Sequence, residues 1–251
     1  MARGSSFASA SYRDTGVVLR TYPLGEADRI VILLTREHGQ VRAVAKGVRR
    51  TSSKFGSRLE PFTLSDLQLV HGRSLDIVSQ AVARKTWSTA IASDYSRFTA
   101  AAAMVEAAEQ LSTDDGQETR PQYDLLIGAL SALARGRHAP DQLLDSYLLR
   151  AVAAAGWAPS FTVCAQCGDP GPHRSFSAQL GGMVCDRCRP PGSLSPDVRV
   201  VAHLQALLGG DWPRVDAVDP RTARAAAGII GAYVQFHLEH AVKSLPLVER
   251  D

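Results

Sequence analysis

The four cysteines of this chain form two pairs with the same two-residue spacer, Cys164 with Cys167 and Cys185 with Cys188, and 17 residues separate the pairs. Such a spacer lets one tight turn direct two thiolates at one ion, and zinc takes four thiolates in a tetrahedron at about 2.3 Å. Gly168 can adopt the positive φ that turns backbone N–H groups toward the sulfurs. Because four thiolates leave no open coordination position, the sequence predicts one structural Zn²⁺ ion.

Three other interpretations of these cysteines are disfavoured. Two disulfides would suit an oxidising compartment, but the N-terminus has no apolar signal segment, and no run approaches about 18 apolar residues. A redox CxxC normally occurs once, at a helix start, whereas two copies lie here among glycines and prolines. His173 could replace one sulfur, although the cysteines already complete the set. We therefore expect a cytoplasmic protein with no membrane partner.

Positive charge is concentrated in the first third of the chain. Residues 1–80 contain 12 Lys and Arg against 7 Asp and Glu, whereas the remainder contains 16 against 18. One stretch has six cations and no acidic residue: Arg42, Lys46, Arg49, Arg50, Lys54 and Arg58. A local field of one sign is typical of a site for a polyanion, and we expect nucleic acid to bind here. The alternative is a solvated basic loop without a partner.

Three aromatic residues near this stretch could stack on bases. Phe55 lies between Lys54 and Arg58 and is the candidate that we carry forward as a nucleic-acid-binding residue. A base stacked on an aromatic ring contributes about 1–3 kcal/mol whatever its identity. Tyr22 and Phe62 are the other two candidates, but we expect both to lie in the barrel core.

The N-terminal pattern predicts a small β-barrel. Five short runs are rich in β-branched residues or alternate between apolar and polar positions, with turn residues between most of them: 15–22, 29–35, 40–45, 62–70 and 75–83. Five strands without an intervening helix fit an OB-fold, whose strand face and loops commonly bind single strands. An SH3-like barrel would give a similar pattern. The long connection over residues 46–60 is the binding loop that we would choose.

The remainder of the chain has helical periodicity. We predict helices over residues 88–111, 121–134, 139–155, 195–209 and 220–241. The fold class is therefore α+β and multidomain, an OB-fold barrel followed by an α-helical domain with a four-cysteine zinc knuckle inserted into it. The predicted segments are a disordered extension at 1–10, the barrel at 11–84 and the helical domain at 85–251, with the zinc insert at 159–192.

No catalytic motif accompanies these elements. The sequence lacks GxxxxGK[ST], a GxGxxG after a strand, HExxH and GxSxG. We therefore do not expect an enzyme. A zinc-dependent enzyme would also conflict with four thiolates that fill the coordination sphere.

Several stretches resemble a known family. Residues 16–29 (GVVLRTYPLGEADR), 43–50 (AVAKGVRR) and 53–61 (SKFGSRLEP) are similar to RecO, the bacterial recombination mediators. Residues 242–245 (VKSL) resemble the C-terminal motif of that family, and the complete cysteine set resembles its zinc-bearing members. Alanine-rich helices and a preference for arginine are similar to actinobacterial members.

This resemblance implies a non-enzymatic role in DNA repair, with association to the nucleoid during repair. It implies binding of single- and double-stranded DNA, annealing of complementary strands, contact with the C-terminal tail of single-strand-binding protein and, with RecR, loading of RecA onto coated strands. We place phosphates on Lys46, Arg49, Arg50, Lys54 and Arg58, with Arg20, Arg29 and Arg42 as extensions of the groove. Glu26 or Asp28 could instead pair with Arg20 or Arg29. The alternative function is a scaffold for RecR and single-strand-binding protein with little direct DNA affinity.

Overall fold

A computed structural model describes residues 11–112, 119–238 and 240–250, so the predicted extension at 1–10 lies outside the described residues. The described residues form two compact units, one of residues 11–89 with 119–123 and one of residues 90–112 with 124–250. The segment boundaries drawn from the sequence stay predictions. No helix in the described ranges is long and apolar enough to cross a membrane.

The first unit contains the predicted five-stranded barrel. Its strands close in the order β1-β2-β3-β5-β4, and all pairs are antiparallel except the parallel pair of β3 with β5. The first strand is longer than predicted because it pairs with β2 along one edge and with β4 along the other. The strands are β1 (Ser11–Leu24), β2 (Asp28–Thr35), β3 (Gln40–Ala45), β4 (Thr63–Val70) and β5 (Asp76–Thr86).

Alternating strand residues fill the inside of the barrel. Val18, Val31 and Leu33 are fully buried there, and the β3–β4 connection adds Phe55 and Leu59 to the same cluster. Phe55 precedes and Leu59 ends a 3₁₀-helix, Gly56–Leu59, that the sequence did not predict. The connection between β3 and β4 therefore closes the barrel core as well as joining two strands.

The second unit is mainly helical, and its helices differ from the predicted ones in several places. The helix expected over 88–111 is interrupted at Asp94, whose carboxylate accepts the Arg97 N–H at 2.9 Å and caps a new helix. The last helix ends at His237 rather than 241, because Leu238 takes an extended conformation. The helices are α1 (Ser88–Ala92), α2 (Tyr95–Leu111), α3 (Arg120–Arg135), α4 (Pro140–Ala154), α5 (Val198–Gly209), α6 (Trp212–Val215) and α7 (Pro220–His237).

A hairpin flanked by the two cysteine pairs lies between α4 and α5, as predicted for the inserted knuckle. Its strands are β6 (Ser175–Ser177) and β7 (Gly182–Val184), paired antiparallel. Gly182 has φ 149°, and a Cβ at this position would lie 2.2 Å from the Ser160 carbonyl oxygen. Only glycine therefore fits where the hairpin meets the segment that leads to the first cysteine pair.

Two buried acids hold the residues after α7. Glu106 of α2 accepts the backbone N–H groups of Lys243 and Ser244, both at 2.9 Å, and the Ser244 hydroxyl at 2.7 Å. Asp145 of α4, whose side chain is fully buried, pairs with both terminal nitrogens of Arg250 at 2.7 and 2.9 Å. The VKSL segment thus has a structural role, because its backbone satisfies a buried carboxylate.

Candidate nucleic-acid interface and metal centre

The connection of residues 46–60, here called the basic loop, is attached to the barrel by apolar side chains. Val48, Phe55 and Leu59 are 9%, 1% and 1% exposed and belong to the barrel core. Backbone hydrogen bonds hold the start of the loop, since Gly47 N–H donates to the Asp28 carboxylate at 2.7 Å and Arg49 N–H donates to the Ala27 carbonyl at 2.9 Å. The loop is therefore a fixed surface rather than an unattached segment.

The predicted stacking role of Phe55 is wrong. With 1% of its surface exposed, the ring offers no face to a base, and the Lys54 ammonium lies 5.1 Å from its centroid. The sequence indicated an exposed position because Phe55 lies among charged residues. The 3₁₀-helix that follows it instead turns Phe55 and Leu59 into the barrel.

The other two aromatic candidates differ in their exposure to solvent. Phe62 is 5% exposed and is buried as expected, but Tyr22 is 41% exposed, and its predicted core position is wrong. A β-bulge explains Tyr22. The β1–β2 register shifts between Val18 and Arg20, and one inserted residue moves every later side chain to the opposite face of the strand.

The cations of the basic loop are exposed and keep their charge uncompensated. The side chains of Arg49, Lys54 and Arg58 all donate to backbone carbonyls: Arg49 to Gly25 at 3.1 Å, Lys54 to Ser79 at 2.8 Å, and Arg58 to Lys54. Within the described ranges, no carboxylate forms an ion pair with any of the six cations from Arg42 to Arg58. The loop therefore presents a field of one sign that favours a polyanion.

The three arginines predicted to extend the groove differ in their surroundings. Arg29 pairs with Glu60 at 2.7 Å, rather than with Glu26 or Asp28 as the sequence suggested, and this pairing reduces the charge available from Arg29. Arg20 and Arg42 lie on the outside of the barrel, each in register with Ile32 of the strand between them. Arg42 is exposed, whereas Arg20 is half-buried.

The residues that hold the basic loop in place have no direct signal in the sequence. Gly25, Ala27 and Asp28, in and beside the β1–β2 turn, bind the loop through two carbonyls and one carboxylate. In the sequence, Glu26 and Asp28 lie close to Arg20 and Arg29, which suggested ion pairs between these acids and arginines. An acid that follows a glycine turn can equally well accept a backbone N–H, and this is the role of Asp28.

The four cysteines converge on one point, in the geometry of a metal centre. Their sulfur atoms all lie within 4.8 Å of one another, and the Cys167 and Cys185 sulfurs are 3.8 Å apart. A regular tetrahedron of zinc-bound sulfurs needs separations of about 3.8 Å. Gly168 has φ 74°, as expected, and donates its N–H to the Cys164 carbonyl at 2.8 Å. His173 instead donates to the Asp169 carbonyl at 2.8 Å and lies outside the sulfur group.

The chemistry of the four thiols also fits a cation. Backbone N–H groups, first that of Cys185 at 3.4 Å, lower the pKa of the Cys164 thiol to about 6. Hydrogen bonding to the sulfurs of Cys185 and then Cys167 raises the pKa of the Cys188 thiol to about 12. Four thiols this close share protons instead of all ionising at neutral pH, and a divalent cation removes that conflict. The residues present can hold one metal ion.

The comparisons agree with this architecture. The family model for the recombination protein O N terminal matches residues 9–87, and the model for the recombination protein O C terminal matches residues 92–246. The chain is 53% identical over 242 residues to the DNA repair protein RecO of a Nocardioides species, which covers 95% of this chain and 99% of that protein. It is 50% identical over 244 residues to the DNA repair protein RecO of Cutibacterium acnes, covering 96% and 99%. The chain therefore belongs to the RecO family of DNA repair proteins.

Proposed function

We propose that this protein is a non-enzymatic mediator of DNA repair and homologous recombination. It binds single- and double-stranded DNA, anneals complementary strands and, with RecR, helps to load RecA onto strands coated with single-strand-binding protein. Its contact with single-strand-binding protein is to the C-terminal tail of that partner, and it works in the cytoplasm, at the nucleoid during repair. Membership of the RecO family supports the repair role.

One observation supports direct DNA binding above the others. Six exposed cations from Arg42 to Arg58 have no carboxylate partner within the described ranges, and buried apolar residues fix the loop that carries five of them. Phosphates attract such a surface whatever the base sequence, because contacts to the backbone carry no base information. We expect slight sequence preference and strong salt dependence.

Annealing without a nucleotide follows from the same charges. Two strands repel each other through their phosphates, and a cationic surface can hold both while condensed counterions are released. Base pairing then supplies the free energy that completes the duplex. No residue has to cleave or form a covalent bond, which agrees with the missing catalytic motifs.

We propose Zn²⁺ as the ion at the four-cysteine centre, in a structural role. Four thiolates suit zinc better than a hard cation, which prefers oxygen ligands. When bound, the ion supplies a cross-link between the two CxxC turns, and the cysteines fill its coordination sphere. Cys164 and Cys167 would hold it from one turn and Cys185 and Cys188 from the other.

Affinity for single-stranded DNA across a salt series tests the proposal. The side chains of Arg42, Lys46 and Arg50 make no hydrogen bond or ion pair with other described residues, so replacing all three with glutamine removes charge without disturbing the fold. Each phosphate that the protein no longer binds reduces the log–log salt slope on single strands by about 0.7, and the slope of the triple variant should be smaller by about 2.

A matched triple variant controls for net charge. Arg135, Arg137 and Arg224 are exposed residues of the helical unit, and replacing them with glutamine also takes the formal net charge from +3 to zero. The control should keep the wild-type slope. An unchanged slope in the loop variant, together with tight binding of RecR and of the single-strand-binding protein tail, would favour the scaffold function instead.

A further inference from the structure

The outward-pointing side chains of β1, β2 and β3 lie in cross-strand rows. Tyr22 of β1 is in register with Ile30 of β2, and Ile30 is in register with Val44 of β3. The neighbouring residues Val31 and Ala43 point into the barrel core, so this row points outward. An aromatic ring, an isoleucine and a valine therefore form one continuous row on the outside of the barrel.

This row lies between cations. The adjacent row on the same face consists of Arg20, Ile32 and Arg42 in register. On the other side, the Arg49 guanidinium reaches the Gly25 carbonyl at 3.1 Å, in the turn that follows β1. When the phosphates of a nucleic-acid strand contact these cations, the bases of that strand lie against the row of Tyr22, Ile30 and Val44.

The Tyr22 side chain does not belong to the barrel core cluster. Its residue surface is 41% exposed, and within the described part of the chain its hydroxyl makes no hydrogen bond. Ile30 and Val44 are half-buried and support one side of the row without covering the ring. A large exposed aromatic beside positively charged side chains is the arrangement that single-strand-binding surfaces use for base stacking.

We propose that Tyr22, supported by Ile30 and Val44, is the stacking platform for an unpaired base of single-stranded DNA. The inference rests on the proposed function and deepens it, because it assigns the preference for unpaired bases to one residue. In a duplex, both faces of each internal base already stack on neighbours, so the platform can take only an unpaired base. The basic loop binds phosphates of either form, and Tyr22 distinguishes between them.

Two oligomers of equal length and charge test the platform, an oligothymidylate and an abasic deoxyribose-phosphate chain. Wild-type protein should bind the oligothymidylate roughly 5- to 140-fold more tightly at constant salt, the range that stacking of one base implies. Tyr22→Leu should bring that ratio close to one and leave the affinity for the abasic chain unchanged. Tyr22→Phe keeps the ring and should keep the ratio.

Tyr95 supplies a matched control, since it is 59% exposed on α2 of the helical unit, and Tyr95→Leu should keep the wild-type ratio. Thermal unfolding of each variant checks that the fold is intact. Equal binding of both oligomers by wild type, or an unchanged ratio in Tyr22→Leu, overturns the platform and leaves the proposed function standing. Failure of wild type to bind either oligomer overturns both.

Discussion

At the scale of single residues, the buried carboxyl of Asp145 has an unusual acidity. Burial raises its pKa from the ordinary 3.8 to about 6, although the Arg250 guanidinium opposes that shift. At pH 7 the carboxyl is ionised and forms its paired contact with Arg250. In a side-chain pair this buried, each charge needs the other as its partner, because an unpaired buried charge strongly destabilises the fold.

This acidity predicts the sign of a pH effect. The folded protein binds the Asp145 proton more tightly than the unfolded chain does, so the contribution of this carboxyl to stability is fully present below about pH 4 and is lost as the pH rises through 6. The stability of wild type relative to Asp145→Asn should therefore fall between about pH 4 and pH 6. Urea unfolding midpoints of the two proteins, measured across that range, give the difference directly.

Groups that titrate alike in wild type and in Asp145→Asn do not contribute to the difference in stability between the two proteins. Asp186→Asn, at an exposed position of the knuckle, controls for the loss of a carboxyl in general. A relative stability that rises with pH would mean that pairing with Arg250 outweighs burial, contrary to the expected direction.

The positions of the charged loop residues follow from sequence, but their contacts do not. The six cations from Arg42 to Arg58 are exposed because their charge favours water, as their residue types indicate. Tyr22 and Phe55 exchange their expected positions because a bulge and a 3₁₀-helix, neither of them visible in the residue pattern, decide which face each ring takes. Arg250 lies 105 residues from Asp145, and periodicity cannot connect such a pair.

At the scale of elements, we expect the four-cysteine knuckle to depend on the proposed ion. Its strands β6 and β7 are three residues each, too short to hold together by backbone pairing alone, and its small core contains the cysteines themselves. Free energy of metal binding is then free energy of folding for this segment.

Substitution of one ligand should show this dependence. We expect Cys164→Ser or Cys185→Ser to lose the bound metal and to unfold at lower temperature. A loss of about 3 kcal/mol would lower the melting temperature by about 6–12 °C in a chain of this size. Metal content by elemental mass spectrometry and calorimetric unfolding measure the two effects, and DNA affinity should change only as far as the folded fraction does.

His173→Ala is the matched control, because His173 lies in the spacer between the two pairs but outside the sulfur group. It should keep metal and stability. A cysteine variant with normal metal content and normal melting temperature would contradict the structural role of the ion.

Elements with strong patterns are predictable here, and weakly patterned ones are not. The bounds of β3 agree with the β-branched run at 40–45, and both CxxC turns lie where their spacing indicates. The interruption before α2 depends on one capping hydrogen bond to Asp94, and α6 has only four residues, too few to show a helical period. Local hydrogen bonds decide such features, and composition does not reveal them.

At the scale of the whole molecule, the proposed annealing activity should not require a nucleotide. Two complementary oligonucleotides should anneal at the same rate with and without ATP, and the rate should fall as salt rises because phosphate contacts weaken. Fluorescence quenching between labelled strands measures the rate. The Arg42, Lys46 and Arg50 triple variant should slow annealing, whereas the Arg135, Arg137 and Arg224 control should not. A severalfold stimulation by ATP would contradict the non-enzymatic proposal.

The fold class of the whole molecule could be predicted from the sequence because its local patterns and its overall organisation agree. A change of hydrophobic period near residue 85 separates a β pattern from a helical one, and the barrel and helices follow that change. Sequence patterning did not assign residues 119–123 to the barrel unit, because that depends on which surfaces pack together.

Closure of the barrel has a consequence for how peptides can be recognised. Strands β2 and β4 pair with a neighbour along almost their whole length on both sides, whereas β3 and β5 share only two register pairs. A partner peptide therefore cannot add as a strand beside β2 or β4, where the backbone N–H and carbonyl groups are already used. A peptide that docks on these two strands must be recognised by side chains, and substitutions on their outer surface should change which partner it accepts.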